Sequence, residues 1–197
     1  MSFEYLDLES EFEVVDRGST TFRSDHKIGL KAISATRFLI REYSWSGTGV
    51  DREPVPEVVS EEDKWGHPLQ RIHGPLICEK RRRIMVVDLG RTLHIDEREN
   101  VHFRHRMRDL NGTFEPFFEL GPSKRVLNSI RMRITLPNWN NLRVSYTRTV
   151  GEDKKVVDSR NLQAHYNNND RVSFQIEVSN AEQLKMGHKL SWIHNEN

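Results

Sequence analysis

The residues best suited to chemistry in this chain are arginines set at alternate positions along apolar segments. In Val101-His102-Phe103-Arg104-His105-Arg106-Met107-Arg108, the side chains of Arg104, Arg106 and Arg108 fall on one parity. A strand turns successive side chains to opposite faces, so these three share one surface. Arg131 and Arg133 repeat the pattern within Ile130-Arg131-Met132-Arg133-Ile134, and Arg143 sits between Leu142 and Val144. Guanidinium forks match carboxylate and phosphate geometry, so a sheet face carrying six of them is a candidate surface for an anion or an acidic partner. The same residues also serve as the solvated outer face of a sheet, or as partners for carboxylates brought beside them.

Other constellations are thinner. His67, His73 and Cys78 are close in sequence, but their spacing matches no paired zinc-ligand signature. His102 and His105 lie three apart, which on a strand sends them to opposite faces. Glu97, Glu99, Asp109, Glu115 and Glu119 are acidic, yet nothing in their spacing sets two of them across a cleft. No nucleophile elbow, phosphate-cradling glycine loop or zinc-protease helix occurs. No metal and no cofactor is expected. Trp45, Trp65 and Trp139 sit in or beside expected loops, where an indole can anchor a protein interface.

The elements that must position these groups read as strands. Glu11 to Asp16 and Ile28 to Tyr43 carry strand-like alternation, and Val172, Phe174, Ile176 and Val178 alternate cleanly with polar neighbours. Asp88-Leu89-Gly90 reads as a hairpin turn. Pro137 to Asn141 reads as the turn of a hairpin between Val126–Leu136 and Leu142–Val150, which would put Arg131, Arg133 and Arg143 on one exposed face. Residues 46–68, with Pro54, Pro56 and the acidic run Glu61-Glu62-Asp63, form a long acidic surface loop. Asn180 is placed to cap a short helical turn.

The 197 residues suffice for one domain with a real core, and nine phenylalanines and four tryptophans supply bulk for it. Net charge is only +1, but residues 1–63 hold 14 acidic and 7 basic groups, whereas residues 80–148 hold 15 basic and 7 acidic. If the acidic segment folds back beside the basic strands, the arginines are neutralised. One cysteine allows no internal disulfide and fits a cytosolic protein. No apolar run is long enough to cross a bilayer, so no membrane insertion is expected.

The expected fold is all-β: a single antiparallel β-sandwich, immunoglobulin-like or jelly-roll-like, of about nine or ten strands in one domain spanning 1–197. The expected function is non-catalytic recognition of a protein partner. Nucleic-acid or anion binding through the arginine face is the first alternative. A small-ligand sensor or enzyme with a pocket at one end of the sandwich is the second.

Overall fold

A computed structural model describes residues 2–18, 20–48, 55–77, 82–121, 126–151, 153–168 and 170–194, with backbone only at 75–77, 166 and 167. In chain order the strands are β1 (Phe3–Val14), β2 (Thr21–Ala32), β3 (Thr36–Ser44), β4 (Glu57–Val58), β5 (Arg71–Ile77), β6 (Arg82–Leu93) and β7 (Arg98–Arg108). They continue as β8 (Phe117–Leu120), β9 (Val126–Pro137), β10 (Arg143–Val150), β11 (Lys155–Asn161), β12 (Tyr166–Asn167), β13 (Arg171–Val178) and β14 (Gly187–Ile193). One turn of 3-10 helix, Gln183–Lys185, precedes the last strand, and the Asn180 side chain accepts from the Glu182 and Gln183 backbone N–H groups. Among the described residues no helix is long and apolar enough to cross a membrane.

The all-β class stands, but the single sandwich gives way to three sheets. A seven-stranded sheet runs β12-β13-β9-β1-β2-β7-β4, a four-stranded sheet β11-β10-β14-β8, and a three-stranded sheet β3-β6-β5. The large sheet is mixed, because β1 pairs antiparallel with β2 but parallel with β9.

The apolar parity of each strand faces the interior. Phe12 and Phe22 of the large sheet meet Phe114, Phe118 of β8 and Trp192 of β14, with ring centroids 4.4–6.0 Å apart. Ile130, Met132, Ile134 and Leu136 are buried on β9, as are Val144, Tyr146, Leu190 and Trp192 on the four-stranded sheet. The three-stranded sheet contributes Leu39, Met85, Val87 and Leu89 to the same core.

Several expected connections are corrected. Strands β9 and β10 form no hairpin: β9 pairs with β1 and β13, whereas β10 pairs with β11 and β14. The segment between them, with Asn141 at φ +52°, crosses from one sheet to another. Ile130, Met132, Ile134 and Leu136 of β9 and Val144 and Tyr146 of β10 are all buried at even positions, so parity does not distinguish a hairpin from this crossing. Gly90 is no hairpin tip; β6 runs through it as an irregularity in its pairing with β3. Its φ of +78° suits glycine, and a Cβ there would lie 2.2 Å from the Leu69 carbonyl oxygen. The expected strand 28–43 is broken at Ile33–Ala35 into β2 and β3. The acidic loop carries β4, which pairs with Phe103 and Arg104 of β7. Residues 49–54 of that loop, Cys78, and Lys80 and Arg81 of the basic run lie outside the described residues.

Asp109, at the exit of β7, holds the following loops together. Its carboxylate accepts from Thr48 N at 2.9 Å, Phe114 N at 2.6 Å and Thr113 Oγ1 at 3.2 Å. Burial alone would raise its pKa, but these donors outweigh it and hold the group below the usual carboxylate range. These bonds place Phe114 and the segment after Trp45 against the core. Asp109→Ala leaves the donors unpaired and is expected to destabilise by about 2–3 kcal/mol. Urea denaturation measures this; a loss within experimental error of zero would contradict the role.

Candidate functional site

The outward face of the seven-stranded sheet is built from charged residues in register. Glu177, Arg131, Glu9, Lys27 and His102 form one cross-strand row, and Gln175, Arg133, Glu11, Asp25, Arg104 and Glu57 the next. Arg131 reaches Glu9 at 3.2 Å and Glu177 at 3.5 Å. Arg133 donates to Glu11 at 3.0 Å and to Gln175 at 3.1 and 2.8 Å. Arg104 donates to Asp25 at 3.0 Å, and His102 Nε2 lies 2.5 Å from its other oxygen. Burial raises the Asp25 pKa, but His102 and Arg104 more than offset it, so the carboxyl stays below its ordinary value. Glu13 bridges Arg23 and Arg171.

The six arginines read from the sequence therefore separate into two groups. Arg104, Arg131 and Arg133 are engaged with carboxylates. Arg106, Arg108 and Arg143 are exposed and make no ion pair with a described residue. Arg143 lies on the four-stranded sheet, not beside Arg131 and Arg133, because β10 belongs to a different sheet from β9.

The tryptophans separate as well. Trp45 is 7% exposed and packs against Phe22 and Phe114, so it is core and not an interface residue. Trp139 is half-buried, stacks on His194 at 4.0 Å and donates its indole N–H to the Arg17 carbonyl at 3.2 Å. Trp65 is 71% exposed. Its turn is pinned by Asp63, whose Oδ1 accepts from Trp65 N at 2.8 Å and His67 N at 2.9 Å. Backbone bonds from Asp63 N to His67 O at 2.7 Å and from Leu69 N to Glu61 O at 2.8 Å close the loop beneath it. His67 is thus a turn residue, and His73 is exposed on β5. Among the described residues no group of three or more His, Cys, Asp or Glu is placed to hold a metal ion.

Two histidines form interior polar contacts that the sequence did not single out. His188 donates Nε2–H to the Gln183 carbonyl at 3.1 Å and accepts from Tyr146 Oη through Nδ1 at 2.7 Å. Burial lowers its pKa and keeps it neutral. His26 shares a hydrogen bond with Ser10 Oγ at 2.9 Å and stacks on Phe103 at 4.8 Å. Burial, with the positive fields of Arg41 and His105, pushes the His26 pKa down to about 3.

At one end of the charged face lies an open cleft of about 430 Å³. Thr135 and Ser173, directly opposite each other on β9 and β13, form its floor. Arg133 and Arg171 flank it, with Glu13 on one side and His165 and Asn168 on the other. Of these, only Arg133 stood out in the sequence. The alternation of Arg171, Ser173 and Gln175 was a visible signal, but nothing in it showed which strand would lie alongside.

No family model matches the chain, and no curated protein matches its sequence. Among solved structures, an M1 zinc metallopeptidase from Deinococcus radiodurans is 11% identical with a TM-score of 0.48, covering 96% of this chain and 42% of that one. A two-domain M1 zinc metallopeptidase mutant bound to L-arginine is 10% identical with a TM-score of 0.49, again covering 96% and 42%. The chain thus spans less than half the length of the structures it matches, and likeness at this level carries no argument about function.

The depressed histidines make stability pH-dependent. His26 binds its proton near pH 6.5 when unfolded but only near pH 3 when folded, so the unfolded state takes up more protons as pH falls. Its contribution is complete above pH 6.5 and is lost progressively below it. Lowering the pH from 7.5 to 5 is expected to reduce stability by up to about 2 kcal/mol through His26. Urea midpoints for the wild type and His26→Gln check this: the variant should lose less stability over that interval. Parallel losses in both proteins would contradict the assignment.

Proposed function

We propose that this chain is a non-catalytic, cytosolic recognition domain that docks a protein partner through the Trp65 turn. The observation that carries this reading is an indole exposed on a backbone loop fixed by Asp63. A large aromatic held in advance loses little conformational freedom on binding, and buried tryptophans dominate the energetics of many interfaces. The outer face of the three-stranded sheet adds support. There Phe38 and Ile40 are exposed between the ion pairs Arg37–Asp88 and Arg82–Glu42, giving an apolar centre with a charged rim.

The arginine face favours a polyanion less strongly than its sequence suggests. Arg104, Arg131 and Arg133 already face carboxylates, and a polyphosphate strand would have to displace Asp25, Glu9 and Glu11. Arg98, Arg106 and Arg108 of β7 are exposed on that face and make no ion pair with a described residue.

A photo-cross-linking residue at position 65, with one at position 27 as control, tests the proposal. A protein adduct of defined mass is expected from position 65 and not from position 27. The partner so identified, once purified, should bind Trp65→Ala at least about 30-fold more weakly, the equivalent of a 2 kcal/mol interface anchor. Melting of that variant should match the wild type, because Trp65 lies outside the core. Equal affinity for both proteins, or an adduct only from position 27, would overturn the reading.

A further inference from the structure

The cleft on the seven-stranded sheet has an excess of hydrogen-bond donors that its own carboxylate does not satisfy. Glu13, the acidic group in it, has both oxygens committed, one to Arg171 and the other to Arg23. Arg171 also donates to the Val14 carbonyl at 2.6 Å, and Arg133 donates to Glu11 and Gln175. A guanidinium carries five N–H donors, so each arginine retains donors beyond these. Between them, the hydroxyls of Thr135 and Ser173 make no hydrogen bond to a described residue, and neither does the His165 ring.

Ser173 is the informative member. The residue is only 6% exposed, and its hydroxyl, which makes no hydrogen bond to a described residue, opens onto the cleft. A hydroxyl on the floor of a cleft that is not used by the fold is available both to donate to and to accept from a ligand oxygen. The register also sets the arginines on opposite sides of it. Arg133 precedes Thr135 by two residues on β9, whereas Arg171 precedes Ser173 by two on the antiparallel β13. Because the strands run oppositely, one guanidinium approaches the Thr135–Ser173 pair from each direction. His165 is held beside it by its backbone N–H, which donates to the Ser173 carbonyl at 2.8 Å.

We propose that this cleft binds the phosphate group of a small soluble molecule. Donors arriving from two sides and from the floor suit a tetrahedral oxyanion, whose oxygens point in several directions. A planar carboxylate is better matched by a single bidentate fork. The cleft volume of about 430 Å³ exceeds that of a phosphate ion and leaves room for a small organic group. This site is independent of the Trp65 turn.

Amide chemical shifts of the full chain, titrated with inorganic phosphate and then with glycerol phosphate, test the proposal. Potassium acetate and potassium chloride at matched ionic strength serve as controls. Saturable shifts at Thr135 and Ser173 are expected with both phosphates and not with either control. Arg133→Gln should weaken binding about tenfold, the loss of one charge-assisted bond. Because Arg133 also joins β9 to β1 and β13, Thr135→Val provides a second variant that keeps the charge lattice whole. It too should bind more weakly, with an unchanged melting temperature. Tighter binding of glycerol phosphate assigns the site to a phosphate monoester, and tighter binding of inorganic phosphate assigns it to the free ion. Equal responses to phosphate, acetate and chloride would overturn the proposal, as would wild-type affinity in Thr135→Val.

Discussion

The fold depends on where the acidic strand β1 sits. One face of Phe3–Val14 is apolar, and the other carries Asp7, Glu9, Glu11 and Glu13. Four carboxylates at alternate positions on one strand repel each other and need cations on both sides. Strand β9 supplies Arg131 and Arg133 on one flank, and β2 supplies Lys27 and Arg23 on the other. Each exposed pair contributes only about 0–1 kcal/mol. Their joint effect is on specificity, since any register that moved β1 by one residue would point its carboxylates into the core. The parallel pairing of β1 with β9, the departure from an antiparallel sandwich, is the pairing that brings Glu9 to Arg131 and Glu11 to Arg133.

The lattice is not perfectly alternating, and its exceptions explain the geometry. Glu11 lies opposite Asp25, and Arg23 lies opposite Arg106. Like charges facing each other are unfavourable, so each turns to its other neighbour. Asp25 takes Arg104 and His102, Glu11 takes Arg133, and Arg23 takes Glu13. Arg106, beyond the reach of β1, makes no ion pair with a described residue. Glu13 pairs with Arg23 directly opposite it and with Arg171, and the hydroxyls of Thr135 and Ser173 make no hydrogen bond to a described residue.

Parity along the strands was legible in the sequence, and partnership was not. Alternation alone sets Ile130, Met132, Ile134, Val144 and Tyr146 on the parity opposite the arginines, and all five are buried. Yet β9 and β10 belong to different sheets, because two facing sheets bury the same parity that a hairpin does. Arg143 therefore lies on the four-stranded sheet, apart from Arg131 and Arg133. Trp45 sits in or beside an expected loop, yet it packs into the core. Its burial depends on Phe114 and on the Asp109 carboxylate, more than 60 residues away in sequence. The segregation of acidic and basic segments did foreshadow the interleaved face, and the exposed Trp65 matches its position in an acidic loop. Ser173 and Thr135 were invisible as a pair, because only tertiary pairing sets them opposite each other.

Neutralisation of the arginine face by β1 is tested most directly by restoring its positive charge. The triple variant Glu9→Gln/Glu11→Gln/Glu13→Gln keeps side-chain shape and removes three negative charges from the centre of the sheet. Binding of a mixed-sequence single-stranded oligonucleotide should be compared with the wild type at low and at physiological salt, after melting curves establish that both proteins are folded. The interleaved lattice predicts weak binding by the wild type and a gain of tenfold or more in the variant, lost as salt rises. Tight, salt-sensitive binding by the wild type, unchanged in the variant, would contradict it.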